Sequence, residues 1–130
     1  MKTVIQELTF KAAPKVLFEM YVDSKKHSNV TGAKAVMSRK TGGIFKAHRG
    51  YISGKNILVV PNEMIIQTWR GINWPKTDRD SILILHFKAS VKGTVMTMVH
   101  TNLSEKEAIH VSKGWHDHYW KPWKKYLERM

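Results

Sequence analysis

Histidine is the residue type in this chain best suited to acid–base or metal chemistry, and the chain contains seven. His116 and His118 are two residues apart in a helical segment, so they point to nearly opposite sides and do not easily share a metal ion. His110 has no histidine one turn away, and no HExxH motif occurs. We therefore expect no metal and no cofactor. His100 and His116 could still face one cavity, where they would contact a polar ligand group or act as a base.

The acidic and nucleophilic residues form no catalytic pattern. The ten Asp and Glu residues fall mostly in predicted caps, turns and polar helix faces, and no pair of them suggests acid–base catalysis. The chain has no cysteine, which excludes thiolate nucleophiles, disulfides and Cys-ligated zinc. Gly50–Lys55 has the wrong spacing for a phosphate loop, and no nucleophile elbow is present. We predict a binding protein and not an enzyme.

Aromatic residues could instead form the wall of a binding cavity. Three of the five tryptophans lie within Ser104–Met130. At 3.6 residues per turn, Trp115, Tyr119 and Trp123 share one broad apolar arc of a helix. Trp120 lies near the edge of that arc, and we expect it to be partly exposed. These aromatic side chains either surround an apolar ligand or fill the space between helix and sheet.

The same helix has clear local markers. Ser104 followed by Glu107 has the form of a capping box, which predicts where the helix begins. Pro122 lacks an amide proton, so we expect a kink near 118–121.

The preceding chain is predicted to form the sheet on which this helix lies. A strand at Val4–Lys11 is followed by a helix that Pro14 opens and by a short helix that Asp23 or Ser24 caps and that ends at Gly32. Apolar and polar residues then alternate with a period of two, which predicts six further strands: Ala35–Met37, Ile44–His48, Tyr51–Val60, Glu63–Arg70, Ser81–Lys88 and Thr94–Asn102. Short turns make them antiparallel, so the fold class is α+β. Strand Ser81–Lys88 is apolar on both faces, which predicts a covered outer face or a patch for a partner.

Amino-acid composition limits the number of domains, the localisation and the kind of partner that we expect. With 42% hydrophobic and 25% charged residues, the chain is typical of one folded domain over residues 1–130. It shows neither the apolar core of a signal peptide nor a run of transmembrane length, so we expect a cytoplasmic protein. The net charge of +12 comes from scattered lysines, which favours a solvated basic surface. An acidic protein partner is the next interpretation, ahead of nucleic acid and an anionic membrane.

Several segments resemble one known family. They are QTWRGINWP (Gln67–Pro75), TVMTMVHTNL, KGWHDHYWKPWKKYL (Lys113–Leu127), HSNVTG (His27–Gly32) and GGIFKAHRGYISGKN (Gly42–Asn56). Taken in their order along the chain, they resemble the activator of heat-shock protein 90 ATPase homologue family, and in particular its bacterial single-domain members. The resemblance implies a START-like helix-grip fold, also found in the birch-pollen-allergen class. In that fold a curved sheet of about seven strands surrounds a long C-terminal helix, with two short helices between the first two strands.

The resemblance also implies a range of functions. In the eukaryotic co-chaperones this domain is the C-terminal half and helps to stimulate the ATPase of the chaperone. Other members of the superfamily are ligand carriers, cyclases and oxygenase subunits.

We therefore predict, first, a monomer or homodimer that binds a hydrophobic small molecule between sheet and helix and that could act in a stress response. The alternatives are a co-chaperone-type module that meets a chaperone or another acidic protein and, after that, a cyclase- or hydrolase-like enzyme. The candidate cavity residues are Trp69, Trp74, Leu85, Phe87, Met96, Met98, His100, Trp115, His116, Tyr119 and Trp123.

Overall fold

The computed structural model describes all 130 residues and confirms the predicted α+β helix-grip class. One antiparallel sheet has the strand order β1-β6-β5-β4-β3-β2, and the C-terminal helix packs against it. The elements are β1 Lys2–Phe10, α1 Pro14–Val22, α2 Ser24–Thr31, β2 Ile44–Ala47, β3 Ile52–Val60, β4 Met64–Gly71, β5 Ser81–Ser90, β6 Gly93–Leu103, α3 Glu105–Trp115, a π-helical turn His116–Trp120 and α4 Lys121–Glu128.

The sheet has six strands because the predicted strand Ala35–Met37 does not form. Only Val36 pairs, through a single antiparallel bridge to Lys46. The amides on either side of Val36 are taken by α2, where the hydroxyls of Ser28 and Ser24 accept from them at 2.8 Å. These amides are therefore bonded to side chains of α2 and not to a neighbouring strand.

Helix boundaries follow local capping. The Asp23 carboxylate accepts from the amide of Lys26 at 2.9 Å and so begins α2. Gly32 ends it with φ of 79°, a conformation that glycine adopts without steric cost. The Ser104 hydroxyl accepts from the amide of Glu107 at 3.2 Å, as the predicted cap requires. None of the helices combines the length and apolarity needed to cross a membrane.

The core lies between the sheet and the helices. Alternating side chains of β4, β5 and β6 point inward. Those that are at most 3% exposed include Ile65, Leu83, Leu85, Phe87, Met96 and Met98. Helix α1 packs on β5, where the rings of Phe18 and Phe87 lie 5.8 Å apart, edge to face. Aromatic side chains of the C-terminal helix fill the rest of this space.

The C-terminal helix changes register in its middle. In the π-helical turn, the amide of Lys121 donates to the carbonyl of His116, five residues back. Such a turn inserts one extra residue, so the residues after it are rotated relative to an unbroken α-helix. The prediction that Trp120 is partly exposed was therefore wrong: it is buried, with 1% of its surface exposed. The irregularity expected next to Pro122 takes the form of this turn.

Candidate ligand-binding cleft

A cleft of about 330 Å³ opens where α3 and the π-helical turn pass the ends of β3 and β4. Its apolar wall consists of Tyr51, Ile52, Trp69, Trp74, Val111, Trp115 and Tyr119. Its other lining residues are His48, Glu107, His110, Gly114 and His118. An aromatic wall with a few polar groups is the usual composition of a small-molecule site.

The aromatic wall is continuous. The ring of Trp69 lies 5.9 Å from that of Trp74 and 6.4 Å from that of Trp115. Trp115 in turn packs on Tyr119 at 4.4 Å. The wall therefore joins strand β4, the loop that follows it and the C-terminal helix into one surface.

A hydrogen-bond chain behind this wall holds two of the tryptophans. The indole Nε1 of Trp115 donates to Nδ1 of His100 at 3.1 Å. His100 Nδ1 is thus the acceptor, so Nε2 has the proton and donates to Ser81 Oγ at 2.8 Å. That hydroxyl donates to the backbone carbonyl of Trp69 at 2.6 Å. The chain therefore specifies one tautomer of a histidine that is 0% exposed.

A second buried network surrounds the hydroxyl of Tyr119. It lies 3.1 Å from Nε2 of His27 and 3.0 Å from Nε2 of His48. His48 comes from the turn between β2 and β3 and has φ of 52°. His27 in turn donates through Nδ1 to the carbonyl of Tyr21 at 2.8 Å. Three segments distant in sequence therefore meet at this one hydroxyl.

Burial keeps these groups uncharged at neutral pH. It lowers the pKa of His100 to about 3. Burial, with smaller contributions from His27 and His118, lowers the pKa of His48 to about 4. The pKa of His27 is also lowered by burial, and that of the Tyr119 hydroxyl is raised. The polar groups in and behind the cleft wall are therefore neutral.

The cleft lining contains one carboxylate, that of Glu107. Glu107 Oε1 lies 3.7 Å from Nδ1 of His110, and both belong to α3. The rings of His48 and His118 lie 5.6 Å apart. No group of three or more His, Asp or Glu side chains is arranged to hold a metal ion. The arrangement is suited to binding an aromatic molecule by stacking and hydrogen bonds.

Comparison with known proteins agrees with the fold. The sequence model of the family described as activator of Hsp90 ATPase homolog 1-like protein matches residues 11–128. The chain belongs to this family.

Curated relatives in this family are much longer than the chain. The activator of 90 kDa heat shock protein ATPase homolog of Dictyostelium discoideum is 28% identical over 117 residues, which is 88% of this chain and 30% of that protein. The human activator of 90 kDa heat shock protein ATPase homolog 1 is 24% identical over 111 residues, 85% of this chain and 32% of that protein. The chain thus spans about a third of the length of these relatives.

Solved structures show the same fold. An HSP90 activator from Plasmodium falciparum superposes with a TM-score of 0.81 at 24% identity, covering 98% of this chain and 95% of that one. The Aha1 dimer from Colwellia psychrerythraea superposes with a TM-score of 0.77 at 16% identity, covering 89% of each chain.

Only some of the predicted cavity residues line the cleft of this family member. Trp69, Trp74, Trp115 and Tyr119 line it. His100 lies behind them, bonded to Trp115. The remaining members of the predicted set lie elsewhere: Leu85, Phe87, Met96, Met98 and Trp123 are packed in the core, and His116 is exposed beside the end of β1.

These differences have one physical cause. The bulky side chains of the C-terminal helix fill the space above the central strands, so the predicted residues there are packed in the core. The cleft lies instead at the ends of β3 and β4. The prediction that His116 faces the same cavity as His100 was wrong, since the two histidines lie on different sides of the helix.

Sequence reasoning missed several cleft residues. His110, Gly114 and His118 recur every four residues and extend the face that contains Val111 and Trp115, so a closer inspection of helical spacing would have found them. His48 had no such marker, because it lies in a turn with positive φ.

Proposed function

We propose that this protein binds a small aromatic molecule in the cleft between the C-terminal helix and the ends of β3 and β4. The observation that supports this best is the continuous wall of Trp69, Trp74 and Trp115 around an open volume of about 330 Å³. Ligand sites usually have volumes of about 300–1,000 Å³ and largely apolar walls. A cavity of about 150 Å³ holds benzene, so a molecule of two rings suits this cleft.

Gly114 supports the same function. It lies within α3, where glycine is about 1 kcal/mol less favourable than alanine. A Cβ at this position would meet nothing closer than the Cδ2 atom of His118 at 3.9 Å. The glycine is therefore not required by packing, and its effect is to leave space in the cleft.

Naphthalene, a two-ring hydrocarbon, is a suitable probe. The indole N–H signals in a ¹H–¹⁵N spectrum report on each tryptophan separately. We expect naphthalene to shift the signals of Trp69, Trp74 and Trp115 saturably and to leave those of the core residues Trp120 and Trp123 in place. In Gly114→Leu, the new side chain should occupy the cleft and abolish the shifts, whereas Gly114→Ala should retain them. Absence of saturable shifts in the natural protein would overturn this function.

A second candidate function is a protein-interaction module for an Hsp90 chaperone, as the names of the relatives suggest. The outer face of the sheet favours it. Strand pairing aligns an apolar row across five strands, in the order Ile5, Val99, Ile84, Ile66 and Leu58. The residues at the two ends of this outer row are 66% and 40% exposed. An apolar row of this length is typical of an interaction surface.

The charges around the outer row indicate the kind of partner. Lys46, Lys55 and Lys88 are exposed on or beside the same face. Arg70 also points outward, where it lies 3.4 Å from the carboxylate of Asp80. Glu7 is the one acidic residue among the outward-facing residues of the strands. A partner with an apolar patch surrounded by acidic residues would complement this face of the sheet.

This candidate is tested by the ATPase rate of an Hsp90 chaperone with and without the protein. If the outer row binds the chaperone, Ile84→Thr with Val99→Thr should reduce stimulation, since threonine keeps a β-branched side chain in the strands but removes apolar surface. Ile109→Ala removes an exposed isoleucine from α3 and serves as the matched control. Equal stimulation by both variants would exclude the outer row, and no stimulation by the natural protein would exclude this function.

A further inference from the structure

The hydrogen-bond pattern around Tyr119 determines which atom of His48 has a proton. A backbone carbonyl can only accept, so the 2.8 Å contact between His27 Nδ1 and the carbonyl of Tyr21 requires a proton on that nitrogen. In neutral His27 the other nitrogen, Nε2, is then an acceptor. It lies 3.1 Å from the hydroxyl of Tyr119, which must donate to it.

The hydrogen bond from Tyr119 to His27 also determines which nitrogen of His48 has the proton. A tyrosine hydroxyl has a single proton, and that of Tyr119 is already committed to His27. Nε2 of His48, 3.0 Å from the same oxygen, must therefore be the donor of that contact. In the opposite tautomer two lone pairs would face each other in a buried site, which is unfavourable. Nδ1 of neutral His48 is thus an acceptor, and the protein provides no partner for it.

This acceptor belongs to a residue of the cleft wall. His48 lines the cleft together with Trp69, Trp74 and Trp115. The indole donor of Trp115 is occupied by His100, and the Tyr119 hydroxyl is occupied by two histidines. Nδ1 of His48, by contrast, is an acceptor without a partner in the protein, and it belongs to a residue that lines the cleft.

Resting on the proposed ligand-binding function, we propose that the cleft selects aromatic molecules with a hydroxyl group. The ring of such a phenol would pack among the three tryptophans, and its O–H would donate to Nδ1 of His48. An ether of the same shape would place an acceptor against this acceptor and would bind less well. One net hydrogen bond of about 1 kcal/mol corresponds to about a 5-fold difference in Kd.

Three probes of similar shape test this selection: naphthalene, 2-naphthol and 2-methoxynaphthalene. We expect 2-naphthol to bind about 5-fold more tightly than the ether, measured from the indole signals of the natural protein. In His48→Phe this preference should be lost, so that 2-naphthol and the ether bind with similar Kd. His48→Gln has both a donor for Tyr119 and an acceptor for the probe, and it should retain the preference.

The outcomes separate the two proposals. If all three probes bind with equal Kd, the selection of hydroxyl groups is overturned and the cleft remains a ligand site. If none binds, the ligand-binding function itself fails. The tautomer has an independent test without ligand, because long-range ¹H–¹⁵N spectra distinguish a protonated ring nitrogen from one with a lone pair. A protonated Nδ1 in His48 of the natural protein would overturn the inference even if the His48→Phe variant failed to fold.

Discussion

The indole nitrogen of Trp115 and Nδ1 of His100 form a 3.1 Å hydrogen bond across the boundary between helix α3 and strand β6. Both residues are at most 2% exposed. The bond holds the cleft-lining indole in one orientation, and it does so through a histidine that burial keeps neutral.

Loss of this acceptor should destabilise the protein. In His100→Leu the N–H of Trp115 is buried without a partner, which costs about 1–3 kcal/mol of unfolding free energy. In a Trp115→Phe background the same change should cost less, because no indole donor remains. Urea unfolding of the two single variants and the double variant measures this coupling. Additivity within about 0.5 kcal/mol would contradict a direct bond between the two residues.

Stability should fall on acidification below pH 6.5. The folded protein holds the pKa of His100 at about 3, whereas the unfolded chain binds a proton near the ordinary value of 6.5. The unfolded state therefore binds more protons between these values, and stability is lost as pH falls through this window. From pH 7 to pH 5, His100 alone should remove about 2 kcal/mol.

Urea midpoints at pH 7, 6 and 5 measure this dependence. His48 and His27 have lowered pKa values as well and add to the loss in the same direction. His100→Leu should show a shallower decline than the natural protein. An equal decline in both would contradict the assignment to His100.

Gln6 should stabilise the π-helical turn from the edge strand. Its Oε1 accepts from Nε1 of the buried Trp120 at 2.7 Å, and its Nε2 donates to the carbonyl of Ser112 at 2.9 Å. Gln6→Leu leaves both partners unsatisfied and should cost about 1–3 kcal/mol in urea unfolding. Glu7→Leu, one residue along on the exposed face, should change stability by less than about 0.5 kcal/mol. Similar losses in both variants would exclude a role of these hydrogen bonds.

Two glycines near the cleft should respond to alanine in opposite directions. Gly114→Ala adds a Cβ with no contact under 3.9 Å and should stabilise α3 by about 0.5–1 kcal/mol. Gly71→Ala would place its Cβ 2.6 Å from Nε1 of Trp74, so the indole must move and the protein should be destabilised. Thermal unfolding compares them directly. Destabilisation by Gly114→Ala would show that the helix has no room for a side chain there.

Much of the fold could be predicted because local sequence preferences and tertiary contacts favour the same helices and strands. The period of two identified each of the six strands to within about two residues at each end, and capping by Asp23 and Ser104 placed the helices. Gln6 is polar although it faces inward between Val4 and Leu8, and its bonds to the C-terminal helix explain its position there. Ala35–Met37 was predicted wrongly, because side chains of α2 compete for its amides.

The sequence alone thus determined the α+β class, the helix-grip family and the aromatic character of the C-terminal helix. Tertiary structure decided which aromatic residues border open space, since this depends on how bulky side chains fill the gap above the sheet. It also decided the burial of Trp120, through a one-residue change of helical register, and brought His48, His27 and Tyr119 together. Contacts between residues 71 and 92 positions apart leave no periodic pattern in a sequence, because only packing brings such residues within hydrogen-bond distance.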